Sequence, residues 1–532
     1  MRPNSVLRVA LGSLCTVPIP ISHSPAQRPK YHARGTRCRA FGRGSGRASS
    51  LVLFTQLLLL VSLSLCTNLR SSLASATGCQ THNISLSDPK LLGGKGIGVN
   101  VAGASETEDV PEWIGKRRSL FRWWAGSKNP KQVHIALAGP NSIRVMWSTS
   151  RRGTPSLVEF GLTSGQYTSK VKGKSSSYTF LTYSSDQLHS AVLSGLQPQT
   201  TYYYRIAGEG PERSFVTPPT DAAADVSIAV VGDIGLSKAA RTTITRLSQQ
   251  PHSLTLVPGD LSYANGFQSV WDRWQNLVEP DASTHPWMVV PGNHEAEALS
   301  AISPKGFEWP TFLKRSALLN GGAFRAYKKR WQMPSAASGS PSKLYYSFEV
   351  GGAHIIVLSC YSPFGPDSKQ FDWLQKDLSS VDRTKTPWLI ASLHEPWYHS
   401  NSDHQRDGQA MRETLEETLY AARVDMLITG HVHAYERTTR VYNGQEDPCG
   451  IMHITVGSGG KDLYPSFVSP RPAWSAFRAA SFGFALFKID GSAAGEADWV
   501  WHRNDDSPSV AADSARLVSL ASSSAPAECR PL

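Results

Sequence analysis

The sequence carries little net charge outside its first 76 residues. The net charge of +12 over 532 residues arises almost wholly in residues 1–76, which hold ten Lys and Arg and no Asp or Glu. The rest of the chain has 44 basic against 42 acidic residues. A folded part so close to neutrality offers no electrostatic basis for binding nucleic acid, and we expect no nucleic-acid partner.

The sequence also lacks an apolar run long enough for a membrane helix. The longest run, Leu51–Cys66, has 16 residues, whereas a span needs about 20. It is typical of a secretory signal, and Ala74-Ser75-Ala76 indicates a cleavage site. We therefore interpret 1–76 as a targeting segment and expect a secreted or vacuolar protein with no stable membrane partner after signal removal. A signal anchor and a plastid transit peptide remain alternatives, because the leader is acid-free and rich in Arg and Ser.

No C-x-x-C motif occurs, which argues against a structural zinc site built on cysteines. Three of the seven cysteines lie in the leader. The other four could form two disulfides in any of three pairings, or remain thiols; they are Cys79, Cys360, Cys449 and Cys529. The one glycosylation sequon, Asn83-Ile84-Ser85, agrees with secretion.

The remaining chain divides by its patterns into four parts. Residues 77–127 are Gly-rich and irregular. Residues 128–219 contain short alternating or β-branched runs separated by turns, which predicts a fibronectin-III-like β-sandwich. After a small-residue linker, residues 225–506 alternate strand and helix patterns and predict an α/β domain. Helices are expected at 239–249, 268–277, 369–378 and 411–422. The Ser/Ala-rich tail, 507–532, is expected to be disordered.

Five segments of the α/β domain share one construction: a short apolar run, a glycine or a kink, then polar side chains. In α/β sheets the ligand site lies beyond the carboxyl ends of the strands, so these side chains should meet there. The segments are S-I-A-V-V-G-D-I-G (227–235), L-T-L-V-P-G-D-L-S-Y (254–263), W-M-V-V-P-G-N-H-E (287–295), W-L-I-A-S-L-H-E-P (388–396) and L-I-T-G-H-V-H (427–433).

The five segments together supply carboxylates, a phenol, an amide and imidazoles, but no thiolate. Each segment alone could be an ordinary turn or hold a core histidine. Such a mixture of oxygen and imidazole donors suits iron, manganese or zinc. Seven side chains exceed the need of one six-coordinate ion, so we expect two ions roughly 3.5–4 Å apart, bridged by a carboxylate.

These five motifs, with L-Y-Y-S-F-E-V-G-G-A-H (344–354) and H-A-Y-E-R (433–437), resemble the plant-type purple acid phosphatases of the calcineurin-like metallophosphoesterase superfamily. The resemblance covers about residues 132–506. It implies an N-terminal fibronectin-III-like β-sandwich followed by an α/β metallophosphoesterase sandwich of two β-sheets flanked by helices. It also implies a packing and dimerisation role for the β-sandwich, and hence a homodimer. The family's usual G-D-G-G-N is replaced by G-S-G-G-K at 457–461, which leaves substrate preference open.

The resemblance also implies a role for each ligand. It assigns a ferric ion to Asp233, Tyr263 and His433, a divalent ion (zinc, manganese or iron) to Asn293, His394 and His431, and the bridge to Asp260. A tyrosinate on ferric iron gives the purple colour. Protein phosphatases of the superfamily have G-D-x-x-D-R-G where this chain has G-D-L-S-Y-A-N, which argues against that activity.

The implied activity is that of an acid phosphatase acting on phosphate monoesters, with metal-bound hydroxide as nucleophile. We expect His294 and His404 to contact phosphate and protonate the leaving group; His399 matches no family role and is expected at the surface. One alternative is a related metallophosphoesterase that acts mainly on diesters, nucleotides or phytate. A binding or storage glycoprotein with a relict site is disfavoured, because all seven ligands are present.

Overall fold

The computed structural model describes residues 127–180, 182–206, 209–297, 323–493, 495–507 and 510–531, which belong to one compact unit. The targeting segment, residues 77–126, the sequon and Cys79 lie outside these residues. Within the described ranges, no helix is long and apolar enough to cross a membrane.

Residues 131–216 form the predicted β-sandwich, which is confirmed. Its two four-stranded antiparallel sheets have the orders β1-β2-β8-β5 and β10-β9-β3-β4, and β6 and β7 form a separate hairpin. In β9, side chains alternate between the exterior and the core, as a half-buried strand requires. The strands are β1 (Lys131–Gly139), β2 (Ser142–Thr149), β3 (Leu157–Gly161), β4 (Ser169–Lys172), β5 (Lys174–Ser176), β6 (Thr179–Phe180), β7 (Tyr183–Ser184), β8 (Gln187–Ser194), β9 (Thr201–Ile206) and β10 (Glu209–Val216).

The α/β domain follows, with strands and helices in alternation. Its elements are β11 (Val226–Val230), α1 (Lys238–Ser248), β12 (Leu254–Val257), α2 (Ser269–Ala282), β13 (Trp287–Val289), a 3-10 turn (Asn293–Glu295), α3 (Arg325–Arg330), β14 (Tyr346–Val350), β15 (Ala353–Val357), α4 (Lys369–Ser380), β16 (Trp388–Ser392), α5 (Gln409–Ala421), β17 (Met426–Thr429), β18 (Tyr435–Tyr442), β19 (Gln445–Glu446), β20 (Ile451–Val456), β21 (Ser475–Ala479), β22 (Gly483–Ile489), β23 (Glu496–Arg503), β24 (Asp513–Val518) and a second 3-10 turn (Ala527–Cys529).

Two mixed sheets form the predicted two-sheet sandwich. The six-stranded sheet has the order β13-β12-β11-β22-β23-β24, and the eight-stranded sheet has the order β14-β15-β16-β17-β20-β18-β19, with β21 paired to β18. Aromatic pairs connect the sheets: Trp388 meets Phe487 edge-on at 5.1 Å, and Tyr435 stacks on Trp501 at 4.2 Å. Strands β12, β16 and β17 are buried throughout, which explains why they appear in the sequence as continuous apolar runs.

The four predicted helices are present, with shifted ends. Helix α1 begins after Ser237, whose hydroxyl accepts from the Ala240 N–H at 3.0 Å, as expected for an N-cap. Helix α2 continues to Ala282, past its predicted end at 277. Pro280 lies in its last turn, so the missing N–H removes a bond only near the helix terminus.

The prediction of a disordered C-terminal tail is wrong. Strand β24 pairs antiparallel with β23 and extends the six-stranded sheet to Val518, beyond the expected domain end at 506. Asp513 of this strand accepts two hydrogen bonds from the Arg437 guanidinium, at 2.8 and 2.9 Å. Further along, a disulfide joins Cys529 to Cys449. Cys360 is a thiol, and burial raises its pKa to about 12.

Buried polar contacts join the β-sandwich to the α/β domain. The Arg330 guanidinium donates to the hydroxyls of Tyr178 and Tyr183, at 3.0 and 2.7 Å, and to Asp272 at 2.9 Å. The Tyr204 hydroxyl donates to the Ser283 carbonyl at 2.7 Å. Because these groups are buried, losing either partner would leave an unpaired polar group.

Candidate metal centre

The nine candidate residues all lie beyond the carboxyl ends of five strands. Loops after β11, β12 and β13 of the six-stranded sheet carry Asp233, Asp260, Tyr263, Asn293 and His294. Loops after β16 and β17 of the eight-stranded sheet carry His394, His404, His431 and His433. Because each group of strands is parallel, its carboxyl ends share one edge, and the two edges together build the site.

Three residues form the group that we call the first triad: Asp233, Tyr263 and His433. The Tyr263 hydroxyl donates to Asp233 Oδ1 at 2.9 Å and lies 2.8 Å from His433 Nε2. His433 Nε2 is 3.5 Å from Asp233 Oδ1. Burial and the Asp233 carboxylate raise the pKa of Tyr263 well above its ordinary value. The phenol therefore stays protonated unless a cation beside it stabilises the tyrosinate.

Three other residues form the second triad: Asn293, His394 and His431. Asn293 Oδ1 lies 3.1 Å from His394 Nε2 and 3.2 Å from His431 Nδ1. The two imidazoles of G-H-V-H thus face different groups, His431 in the second triad and His433 in the first. Backbone hydrogen bonds from Val432 to Gly430 and from Ala434 to Val432, at 2.8 and 2.7 Å, turn the chain tightly here. One motif therefore contributes to both triads.

Asp260 lies between ligands of both sheets. Its Oδ2 is 3.4 Å from His394 Nε2 and 3.7 Å from His294 Nε2, while Oδ1 accepts from the His294 backbone N–H at 2.9 Å. Burial would raise the pKa of Asp260, but these histidines lower it below its ordinary range. Burial likewise would lower the pKa of His394, but the Asp260 carboxylate raises it to about 10.

The arrangement of lone pairs fits a bound cation. His394 Nδ1 lies 2.8 Å from the Pro258 carbonyl and donates to it, so Nε2, which faces the Asp260 and Asn293 oxygens, is the nitrogen where a cation would replace a proton. His431 Nε2 lies 2.9 Å from Asp407 Oδ2, which in the same way leaves Nδ1 as a ligand. Such outer hydrogen bonds orient metal-binding histidines. The donor set therefore fits two hard-to-borderline ions.

His294 and His404 lie on the two sides of this centre. His294 Nδ1 is hydrogen-bonded to Asn265 Oδ1, and its ring lies 4.3 Å from that of Tyr263. Burial lowers the pKa of His294. His404 Nδ1 lies 2.7 Å from Asp407 Oδ2, and its ring is 4.3 Å from that of His431. Both imidazoles are about one-third exposed, so both are accessible to a ligand.

The expectation that His399 is exposed is wrong. The segment after β16 runs inside the protein, and His399 is buried. It is held there by the next residue, since Ser400 donates two hydrogen bonds of 2.6 Å from its N–H and hydroxyl to Glu436.

The backbone is strained at five of the nine candidate residues. A positive φ, between 50° and 67°, occurs at Asp233, Asp260, Tyr263, His404 and His431. This region costs a residue other than glycine of the order of 1–3 kcal/mol, and such residues cluster at functional sites. The fold therefore holds these side chains in positions that an unconstrained loop would not adopt.

Glycines precede the ligands because the backbones approach the carboxylates closely. A Cβ at Gly292 would lie 2.1 Å from Asp260 Oδ1, and one at Gly430 would lie 2.5 Å from Asp233 Oδ2. If either carboxylate moved to make room for a side chain, it would lose its contacts with the other candidate ligands. The glycines of G-N-H-E and G-H-V-H are thus required by close packing against the site.

Two carboxylates that the sequence analysis did not identify support the centre. Glu295 is buried and accepts backbone N–H bonds from Asp260, Leu261 and Gly292, each 3.0 Å long. Asp407 contacts two of the candidate histidines, as described above. Glu295 could have been suspected from its place in G-N-H-E, but Asp407 lies far along the loop after β16, where no motif marks it.

The unusual G-S-G-G-K segment lies against the first triad. The Lys461 backbone N–H donates to the Asp233 carbonyl at 3.0 Å. Its ammonium lies 5.7 Å from the Tyr263 ring centroid and 2.8 Å from Asp462 Oδ2. The position that departs from the family pattern is therefore beside the candidate iron ligands.

Three family models match the chain in succession. They are a purple acid phosphatase N-terminal domain at residues 130–217, a calcineurin-like phosphoesterase at 226–435, and an iron/zinc purple acid phosphatase-like C-terminal domain at 450–513. The order agrees with the β-sandwich followed by the α/β domain.

Known proteins agree with these matches. Purple acid phosphatase 18 of Arabidopsis thaliana is 44% identical over 406 residues, covering 76% of this chain and 88% of that protein. Fe(3+)-Zn(2+) purple acid phosphatase 12 of the same plant is 32% identical over 434 residues, covering 77% and 89%. A purple acid phosphatase structure from yellow lupin (Lupinus luteus) seeds has a similar fold, with a TM-score of 0.63, 23% identity, and coverage of 73% of this chain and 74% of that one. The chain therefore belongs to the purple acid phosphatase family.

Proposed function

We propose that this chain, an acid phosphatase by family, hydrolyses phosphate monoesters at a centre of one Fe(III) and one divalent ion, either zinc, manganese or iron. The observation that supports this most directly is the grouping of six donors into two triads, with Asp260 3.4 Å from His394 of the second triad and its charge acting on Tyr263 of the first. An ion held by one triad would leave the three donors of the other triad without a cation.

We assign the first triad to Fe(III), the second triad to the divalent ion, and the bridge to Asp260. When bound, the two ions neutralise the phosphoryl oxygens and lower the pKa of water. The chain's own residues orient the donors: the Pro258 carbonyl fixes the tautomer of His394, and Asp407 fixes that of His431. The name of the Arabidopsis thaliana relative that specifies iron and zinc supports the choice of metals.

His294 and His404 are the proposed general acids and phosphate contacts. Asp407 orients the His404 ring through the contact at Nδ1, so that Nε2 faces the leaving alkoxide and supplies its proton. His294 is held by Asn265 and by its backbone bond to Asp260, which keeps its ring beside the candidate bridge.

We also propose that the chain enters the secretory pathway, is glycosylated at Asn83, and forms a homodimer through its β-sandwich. The disulfide between Cys449 and Cys529 supports an oxidising compartment. Amino-terminal sequencing of the mature protein checks the targeting segment: a mature terminus near residue 77 agrees with a cleaved signal, whereas retention of Leu51–Cys66 contradicts it.

A substrate panel tests the proposed activity. Purified protein should hydrolyse p-nitrophenyl phosphate with a higher kcat/KM than bis(p-nitrophenyl) phosphate, ATP or phytate, and metal analysis of the same sample should find iron. A preference for one of the other three would instead favour the alternative of a diesterase, nucleotidase or phytase, which the names of the relatives do not support.

A further inference from the structure

A second cluster of metal-binding side chains lies at the other end of strands β12 and β13. It consists of His252, just before β12, with Asp281 and His285, which flank the end of helix α2. Asp281 Oδ1 is 3.1 Å from His285 Nδ1 and 3.5 Å from His252 Nε2. The two imidazoles stack with centroids 4.0 Å apart. The phosphatase centre is at the carboxyl ends of the same strands, so the two sites are separate.

The surroundings of the cluster orient its ligand atoms. His252 Nδ1 donates to the Gln250 carbonyl at 2.8 Å, so Nε2 is the nitrogen available to an ion; it lies 3.5 Å from Asp281 Oδ1 and 3.2 Å from the Thr255 hydroxyl. The other carboxylate oxygen accepts from the Trp287 indole N–H at 2.7 Å. Both are the outer hydrogen bonds that orient metal ligands.

The Asp281 carboxylate is fully buried against both imidazoles. A buried carboxylate needs a hydrogen-bonded proton or a cation beside it. A zinc ion between Asp281 Oδ1 and the two ring nitrogens would supply that cation.

The distances suit a tetrahedral zinc ion. Zinc bonds of about 2.0–2.1 Å in tetrahedral geometry place neighbouring ligand atoms about 3.3 Å apart. The two measured separations from Asp281 Oδ1, 3.1 and 3.5 Å, lie on either side of that value. All three ligand atoms lie within 4.8 Å of one another. Two imidazoles and one carboxylate also form a donor set that zinc accepts.

The cluster is accessible from a cleft of about 1100 Å³. His252 and His285 line this cleft together with residues 214–219 at the end of the β-sandwich. The side chain of His285 is 29% exposed, while those of His252 and Asp281 are fully buried. An ion could therefore enter from the cleft and keep a fourth position for water.

We propose that His252, Asp281 and His285 bind a zinc ion at the junction of the β-sandwich and the α/β domain. The ion ties the loop between α2 and β13 to the loop before β12. The same α2–β13 loop receives the hydrogen bond from Tyr204 of the β-sandwich to Ser283, so zinc would brace the junction of the domains.

Zinc counting on the full-length holoenzyme tests the proposal. After incubation with zinc and desalting, the wild type should retain one zinc ion per chain more than His285→Gln. The control is His354→Gln, because His354 also lies between carboxylates, at 2.9 and 3.4 Å, but on opposite ring nitrogens. This control should retain the full zinc count. Equal counts in the wild type and His285→Gln would overturn the proposal.

A second measurement uses the wild type alone and so does not depend on the folding of a variant. Modification of His285 by diethyl pyrocarbonate, located by peptide mass spectrometry, should become at least tenfold slower when zinc is added. An unchanged rate at His285 in saturating zinc would overturn the proposal, because coordination at Nδ1 occupies the one basic lone pair of the ring and leaves Nε2 protonated and unreactive.

Discussion

Replacing Glu295 by glutamine should lower phosphatase activity beyond what the loss of folding stability alone would cause. Glu295 Oε2 accepts from the N–H groups of Asp260 and Gly292, and Oε1 accepts from Leu261. The glutamine carbonyl oxygen can still accept the hydrogen bonds from Asp260 and Gly292. Its amide nitrogen then faces the Leu261 N–H, which loses its acceptor. An unpaired buried donor costs about 1–3 kcal/mol. We expect the free energy of unfolding to fall by that amount.

The larger effect should be on kcat, because the unpaired N–H belongs to the loop that carries the candidate bridge. A displacement of about 1 Å in a catalytic group can cost about 10²-fold in rate. We expect kcat for p-nitrophenyl phosphate to fall about 10- to 100-fold, measured at saturating substrate together with iron content.

Glu297→Gln is the matched control for this change. Glu297 is also buried and accepts backbone bonds from Arg325 and Ala326, at 2.7 and 2.8 Å, and a third bond from Gln268. The two backbone donors belong to helix α3, which carries no candidate ligand, and Gln268 lies at the far end of the loop after β12, directly before helix α2. Glu297→Gln should therefore lower the melting temperature similarly but keep kcat near the wild-type value. If both variants lost the same activity, or if Glu295→Gln lost none, the proposed link between Glu295 and the centre would be refuted.

Three further changes have distinct expected results. Tyr263→Phe removes the hydroxyl that lies 2.8 Å from a His433 nitrogen, so the visible absorption band of a ferric tyrosinate should disappear; an unchanged spectrum would contradict the iron assignment. Asp407→Asn removes the anion beside His404 and His431, and should lower divalent-metal affinity or kcat about 10- to 100-fold, as measured by metal titration and initial rates. Burial would lower the pKa of His354, but hydrogen bonds to two carboxylates raise it to about 9. The stabilisation that protonated His354 gives to the folded state should therefore be complete below about pH 6.5 and vanish as pH rises through 9. Denaturant unfolding at pH 6 and pH 9.5 should show the advantage of wild type over His354→Gln shrinking by about 2–3 kcal/mol; a constant difference would contradict this account.

The position of the candidate site could be predicted because strand ends are visible in the sequence. Buried parallel strands appear as apolar runs, and the polar residue after each run marks the edge where ligands gather. The separation of His431 from His433 followed from the resemblance to the family, and their different contacts agree with that separation.

The contacts that tie the supporting residues to the centre could not be predicted where the partners are distant in sequence. Asp407 reaches His431 across 24 positions, and Glu295 reaches the backbone of Asp260 across 35. Likewise, the members of the proposed zinc site become neighbours only when helix α2 returns to strand β13. Spacing along the chain does not report such contacts.

The prediction of disorder in the C-terminal tail was wrong because it followed the composition of the tail and not the alternating pattern of its residues. Ser is common in disordered segments, but Asp513, Ala515 and Leu517 are less exposed than the residues between them, as in a half-buried strand. The Cys449–Cys529 disulfide, which spans 80 positions, was one of several pairings that sequence alone allowed.

The most direct test of the two-ion centre is the kcat of Asp260→Asn. Asp260 is buried and faces both His394 and His294, and the account makes it the bridge between the two ions. We predict a loss of at least about 10³-fold in kcat for p-nitrophenyl phosphate, since a charge would be removed where two cations meet. A folded Asp260→Asn variant with near wild-type kcat would contradict the account.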